Sequence, residues 1–169
     1  VIGMMEDIKK NVKNWADEKE VDAYLTKILR KEAYDGSGKI YGIGHAIYTL
    51  SDPRCVLLKE KAGLLAKEAG KEDEYHLYES VERLAPEAFY RFKGNNTKTI
   101  SANVDFYSGL VYKCMGIPVE LFTPIFAIAR ITGWAAHRIE EVTSSSARII
   151  RPAYKSVVDP REYMPMGKR

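Results

Sequence analysis

The sequence has only two cysteines, Cys55 and Cys114, far apart and in no CxxC pair. That excludes a disulfide framework and a thiolate metal site, and it fits a reducing, cytoplasmic compartment. No run reaches the roughly 18 apolar residues of a membrane span. The most apolar stretch, 121–136, is interrupted by Arg130. Charge of one sign is scarce as well: 26 basic against 23 acidic residues leave a formal net charge of +3, too little to suggest a nucleic-acid partner. No stretch reads as a signal peptide, an internal repeat, a low-complexity tract or a convincing strand pair. What is present is the composition of a soluble globular chain, with 46% hydrophobic and 29% charged residues. A chain of this length can bury roughly 70% of its unfolded surface without covalent staples.

The small excess of positive charge is unevenly placed. Residues 1–118 carry 18 basic and 18 acidic side chains, whereas residues 119–169 carry eight basic and five acidic. Six of those eight are arginines: Arg130, Arg138, Arg148, Arg151, Arg161 and Arg169. Arginine is the side chain best shaped to fork onto a carboxylate or phosphate. Small anionic ligands, an acidic neighbouring surface and a solvated basic face all remain open on charge alone.

Helical periodicity dominates, and the expected class is all-α. Val21, Tyr24, Leu25, Ile28 and Leu29 repeat at helical spacing and predict an amphipathic helix over 18–32. Glycines at 36, 38, 42 and 44 mark a loop. Asp52-Pro53 reads as an N-cap with a first-turn proline, opening a helix that Gly70 ends. Tyr75, Tyr78, Val81 and Leu84 mark the next helix, and Pro86 is expected to bend or restart it. A further helix is predicted over 104–115, stopped by Gly116 and Pro118. Thr123-Pro124 is expected to cap a last long helix reaching about residue 141, before an irregular tail.

Five features could carry chemistry. Gly42-Ile43-Gly44-His45 puts an imidazole on a loop whose glycines permit close backbone approach, although taken alone a turn with a satisfied histidine explains it more readily. Asp105 lies in the first turn of a helix after Asn103, where a carboxylate serves either as a base or simply as a dipole partner. Arg54 follows Asp52-Pro53 directly. Arg130 sits on an apolar helix one turn after Phe126, where burial would demand an anion or an internal salt bridge. Arg151 opens the tail. His76, His137 and Trp134 read as core or surface residues. One histidine, one aspartate and three arginines would suit proton transfer beside the carbonyl of a substrate bearing several carboxylates.

The motifs together resemble the citrate synthase family, specifically its C-terminal part. The matches are Gly42-Ile43-Gly44-His45, Asp52-Pro53-Arg54, Asn103 through Gly109, Phe126 through Arg130 with Gly133 through His137, and Arg151-Pro152. The opening Val1-Ile2-Gly3-Met4-Met5 is similar to the segment just after the family's His-Gly-Gly motif. Each motif is weak alone, but their order and separations are specific, and the resemblance covers nearly the whole chain.

The resemblance implies a helical small domain over 1–116 and a segment, 117–169, that returns to a large domain. It implies condensation of acetyl-CoA with oxaloacetate and hydrolysis of citryl-CoA, the entry step of the tricarboxylic acid cycle. Asp105 is then the base and His45 the group that polarises the ketone. Arg54, Arg130 and Arg151 are carboxylate clamps, the last reaching a partner subunit, and Phe126 lines the citrate pocket. Lys39, Ile40, Tyr41, Gly42, Ile43 and Gly44 cradle the CoA adenine, with Asn103 beside them. A homodimer or higher homo-oligomer is implied. No metal and no cofactor beyond the substrate's own coenzyme A are expected, nor any nucleic-acid or membrane partner. Ala46 and Thr49 stand where many relatives carry a basic residue for the CoA phosphates, leaving Lys39 or Lys98 for that task. Ser101-Ala102 replaces a frequent proline. The family's His-Gly-Gly histidine lies upstream of the matched segment, so the 169-residue chain is expected to be a piece of a longer protein and inactive alone. The alternatives are a 2-methylcitrate synthase using propionyl-CoA and a non-catalytic helical interaction module.

Overall fold

Local signals set most of the helix ends. In the computed structural model, which describes residues 1–48, 50–94, 100–143 and 158–168, six α-helices follow one another. They are α1 (Ile2–Asn11), α2 (Glu18–Leu29), α3 (Pro53–Glu68), α4 (Glu72–Lys93), α5 (Asp105–Cys114) and α6 (Phe122–Thr143). Short 3-10 turns span Val119–Leu121 and Met166–Lys168. Among the described residues the only extended pairing is an isolated antiparallel bridge between Ile43 and Ala102. The chain is all-α, as its periodicity implies.

Asp17 caps α2 by accepting the Lys19 N–H at 2.9 Å. The helix stops at Leu29, three residues short of the expected end, because Lys31 turns into the left-handed region at φ 66°. Asp52 and Pro53 start α3 as predicted, and Gly70, at φ 64°, ends it: the Lys71 N–H reaches back to the Ala66 carbonyl at 2.8 Å. Pro86 does not restart the helix: α4 runs through it without a break. Val81, Leu84, Ala85 and Ala88 keep one buried face on both sides of it. That packing outweighs one missing hydrogen bond.

The chain divides into two units, Val1–Phe126 and Ala127–Arg169. The core of the first joins Met4, Met5 and Ile8 of α1 to Val21, Leu25 and Ile28 of α2, Leu77, Tyr78 and Val81 of α4, and Phe106, Tyr107 and Leu110 of α5. Helix α5 packs on α3, and α2 on α4. Glu82 of α4 accepts the Tyr107 hydroxyl at 2.7 Å and the Lys59 ammonium at 2.7 Å, so α3, α4 and α5 meet at one carboxylate. Buried Glu74 is held by Lys9 at 3.1 Å and Lys113 at 2.9 Å, which joins α4 to α1 and α5. Helix α6 contributes no buried residue.

The stretch Val119–Thr143 is long and apolar enough on average, at mean hydropathy 1.2, to pass as a membrane span. Arg130 lies within it, so it holds no unbroken apolar run of that length. Length and composition are its only membrane-like properties, and a helix that buries its apolar side against protein has the same ones.

Candidate active site

The glycine loop and the start of α5 are laced together. Gly44 donates its N–H to the Ser101 carbonyl at 2.7 Å, and Asn103 donates its own to the Gly42 carbonyl at 2.8 Å. Gly42 has φ 82°, and a Cβ there would lie 2.8 Å from the Phe106 ring and 3.0 Å from the Phe106 Cα. Only glycine combines that conformation with that approach. The Asn103 side chain completes the lacing. Its Nδ2 donates to the Gly44 carbonyl at 2.8 Å, and its Oδ1 accepts the Asp105 N–H at 3.0 Å. Asn103 is thus the working cap of α5, and its amide is engaged within the chain.

His45, half-buried, leaves this loop with its Nδ1 accepting the N–H groups of Ile47 at 3.0 Å and Tyr48 at 3.1 Å. With the Nδ1 lone pair occupied, the neutral imidazole carries its proton on Nε2 and is a donor there. The Tyr48 ring lies against it, centroids 4.7 Å apart. The Nη2 of Arg54 sits 3.5 Å from Nε2. Arginine cannot accept, so the two face each other as donors. A carbonyl or carboxylate oxygen bonding both would satisfy the pair.

Arg54 is oriented by Asp52. Its Nε donates to Oδ1 at 2.9 Å and its Nη2 to Oδ2 at 2.8 Å. The Tyr48 ring lies 5.4 Å from the guanidinium carbon. Oδ1 of Asp52 also accepts the Arg54 backbone N–H at 3.0 Å, and Oδ2 accepts that of Val104 at 3.0 Å. Arg54 hydrogen bonding is the largest influence holding the Asp52 carboxyl down at about 2; the backbone donors add to it and burial opposes it. The Arg54 guanidinium is shifted up, first by its bonds to Asp52 and less by the charges of Tyr48 and Asp105.

Asp105 is exposed at the first residue of α5. It faces a cleft of about 700 Å³ shared with Leu58, Val104, Ser108, Tyr112, Phe122 and Phe126. A second cleft of about 420 Å³ is lined by Lys39, Ile40, Tyr41, Gly42, Ile43 and Gly44 together with Leu29, Phe89, Tyr90 and Ile100. Within the first unit His45 meets Arg54, Asn103 meets the 39–44 loop at Gly44, and Asp105 shares a cleft with Phe126. Arg130 belongs to the second unit, and Arg151 lies outside the described residues, as do Lys98 and Thr49.

The sequence does not single out every contributor. Asp52 reads there as a helix cap alone, although an acid two residues before an arginine is a legible pairing signal. Tyr48 gave no signal, and neither did Phe89 and Tyr90, which reach the glycine loop from a helix distant in sequence.

The citrate synthase C-terminal domain family matches residues 1–153. The chain belongs to the citrate synthase family. It is 34% identical to citrate synthase of Synechocystis over 168 residues, covering 99% of this chain and 39% of that protein. Identity to 2-methylcitrate synthase of Shewanella oneidensis is 38% over 164 residues, with 96% and 39% covered. Among solved structures, citrate synthase of Thermoplasma acidophilum, a ternary complex with carboxymethyl coenzyme A and oxaloacetate, matches with TM-score 0.65 and 29% identity, covering 98% of this chain and 40% of that one. Citrate synthase of Thermotoga maritima matches with TM-score 0.61 and 29% identity, with 99% and 42% covered. The chain thus spans about two fifths of the length of these citrate synthase relatives.

Proposed function

We propose that this chain supplies the small-domain chemistry of a citrate synthase that condenses acetyl-CoA with oxaloacetate and hydrolyses the resulting citryl-CoA. The observation that carries this reading is the pair of donors, His45 Nε2–H and Arg54 Nη2, 3.5 Å apart. Two donors around one oxygen position suit a ketone that gains negative charge as a carbon–carbon bond forms. Asp105, across the laced loops, is the base that takes a proton from the acetyl methyl group. Thioester α-protons are weakly acidic, so a carboxylate base needs the forming enol stabilised by a further donor. The sequence contains no His-Gly-Gly motif to supply one. The 169-residue chain alone is therefore expected to be inactive.

The apolar cleft beside Lys39–Gly44 suits a flat base such as the CoA adenine, with Phe89 and Tyr90 as further walls. Arg54, Arg130 and Arg151 are proposed as the carboxylate clamps, Phe126 as a wall of the citrate pocket, and residues 117–169 as the segment returning to a large domain. A homodimer in the cytoplasm, acting in the tricarboxylic acid cycle, completes the reading. Release of the CoA thiol by the natural full-length protein, given acetyl-CoA and oxaloacetate, tests it; absence of release would overturn it. The 2-methylcitrate synthase relative supports a second reading, and faster turnover of propionyl-CoA would favour that one. A non-catalytic helical module fits less well, because His45, Arg54 and Asp105 are all present and two of them converge.

A further inference from the structure

Asp52 is only 1% exposed, and a buried carboxylate is tolerated when it is fully bonded. Capping α3 needs one oxygen accepting one backbone N–H, which serine or asparagine would do equally well. Asp52 does more. Its two oxygens receive four donors: the Arg54 N–H, the Arg54 Nε–H, the Arg54 Nη2–H and the Val104 N–H. The side-chain bonds form a fork on one edge of the guanidinium and fix its plane. Two of the five guanidinium N–H donors are used, and two of the remaining three, one on Nη1 and one on Nη2, form the outer edge. The Arg54 side chain is 48% exposed, so without the fork it would sample several rotamers. The bond to Val104 adds a second constraint, because Val104 directly precedes Asp105 and α5.

We propose that Asp52 is a positioning residue: it presents the outer edge of Arg54 to a ligand carboxylate and sets that edge's distance from the helix that begins at Asp105. The ligand named here rests on the functional reading above; the positioning itself does not.

The test uses the natural full-length protein with Asp52→Ser, which keeps a cap for α3 and removes the fork. Asp52→Thr, which likewise keeps a cap and lacks the fork, serves as the second variant should the serine variant fail to fold. The first readout needs no ligand. With 15N-labelled arginine, the Arg54 Nε–H is expected to exchange slowly in the wild type and to lose that protection in either variant. Free exchange in the wild type, or unchanged protection in a folded variant, overturns the proposal. The second readout is kinetic. KM for oxaloacetate is expected to rise about tenfold or more in Asp52→Ser, with kcat changed less. In an Arg54→Gln background the same substitution is expected to add less than about twofold, since linked residues are not additive. An unchanged KM, or a full additive effect, sinks the proposal, because a purely structural cap would act alike in both backgrounds. Wild-type protein that shows the protected Nε–H but neither binds nor turns over oxaloacetate would instead remove the functional reading and leave the positioning role supported.

Discussion

Helices α5 and α6 have similarly apolar sequences and opposite fates. The ten residues of α5 bury Phe106, Tyr107, Gly109, Leu110 and Val111, whereas the 22 residues of α6 bury none. Ile128, Ile131, Trp134 and Ile139 of α6 are all more than half exposed. An apolar stripe thus states that a helix needs a covering surface, and not where that surface comes from. In α5 the cover lies within the same unit, on α3 and α4. The same contrast separates the candidate site residues. Those on the α3–α5 scaffold lie in the first unit, and the arginine on α6 belongs to the second.

Substitutions can break or sharpen that contrast, and the largest effect is expected at the start of α5. Asp105→Asn in the natural full-length protein should lower the condensation rate by ~10²–10⁴-fold, the usual weight of a general base, read as CoA thiol release. A near-wild-type rate would remove Asp105 from that role. Next comes Leu110→Ala in the core, expected to lower the stability of the 169-residue chain by about 2–5 kcal/mol in chemical denaturation. Gly42→Ala should reach the upper end of ~1–3 kcal/mol, because the new Cβ meets Phe106 as well as the strained φ; Gly44→Ala, with φ 95° and open space around it, should sit at the lower end.

The pH dependence is smaller again. Asp52 is depressed from 3.8 to about 2 in the folded chain, so its stabilisation is complete above pH 4 and is lost as pH falls towards 2. Asp52→Asn should flatten that part of an acid-denaturation profile; an unchanged profile would deny the depression. The smallest effect is predicted for Ile131→Ala on α6, within about 0.5 kcal/mol in the same chain, as for an exposed position. A loss comparable with that of Leu110→Ala would show α6 to be covered after all and abolish the contrast.

Much of the first unit is legible in the sequence. Asp52-Pro53, Gly70 and Gly116 act within a few residues of the ends they control, so their effect does not depend on distant chain. Pro86 by itself suggests a restart, while the buried face of Val81, Leu84, Ala85 and Ala88 that carries α4 through it is a tertiary matter. The site divides the same way. His45, Arg54 and Asp105 could be singled out by residue type and motif. The Nε2–H tautomer of His45 could not, since it depends on where the Ile47 and Tyr48 N–H groups point. Nor could the second set of walls around the 39–44 loop, because Phe89 and Tyr90 arrive there only through the packing of α4.

The order of residues by itself determined the all-α class, most helix limits and the candidate acids, bases and clamps, because caps, glycine conformations and helical periodicity are short-range properties of the chain. Tertiary structure alone decided which of those groups share a site. The bridge between 43 and 102, the carboxylate of Asp52 spanning Arg54 and Val104, and the bond from the Asn103 amide to the Gly44 carbonyl close loops of tens of residues. Such closures depend on the packed core that holds both ends, and no local pattern records them.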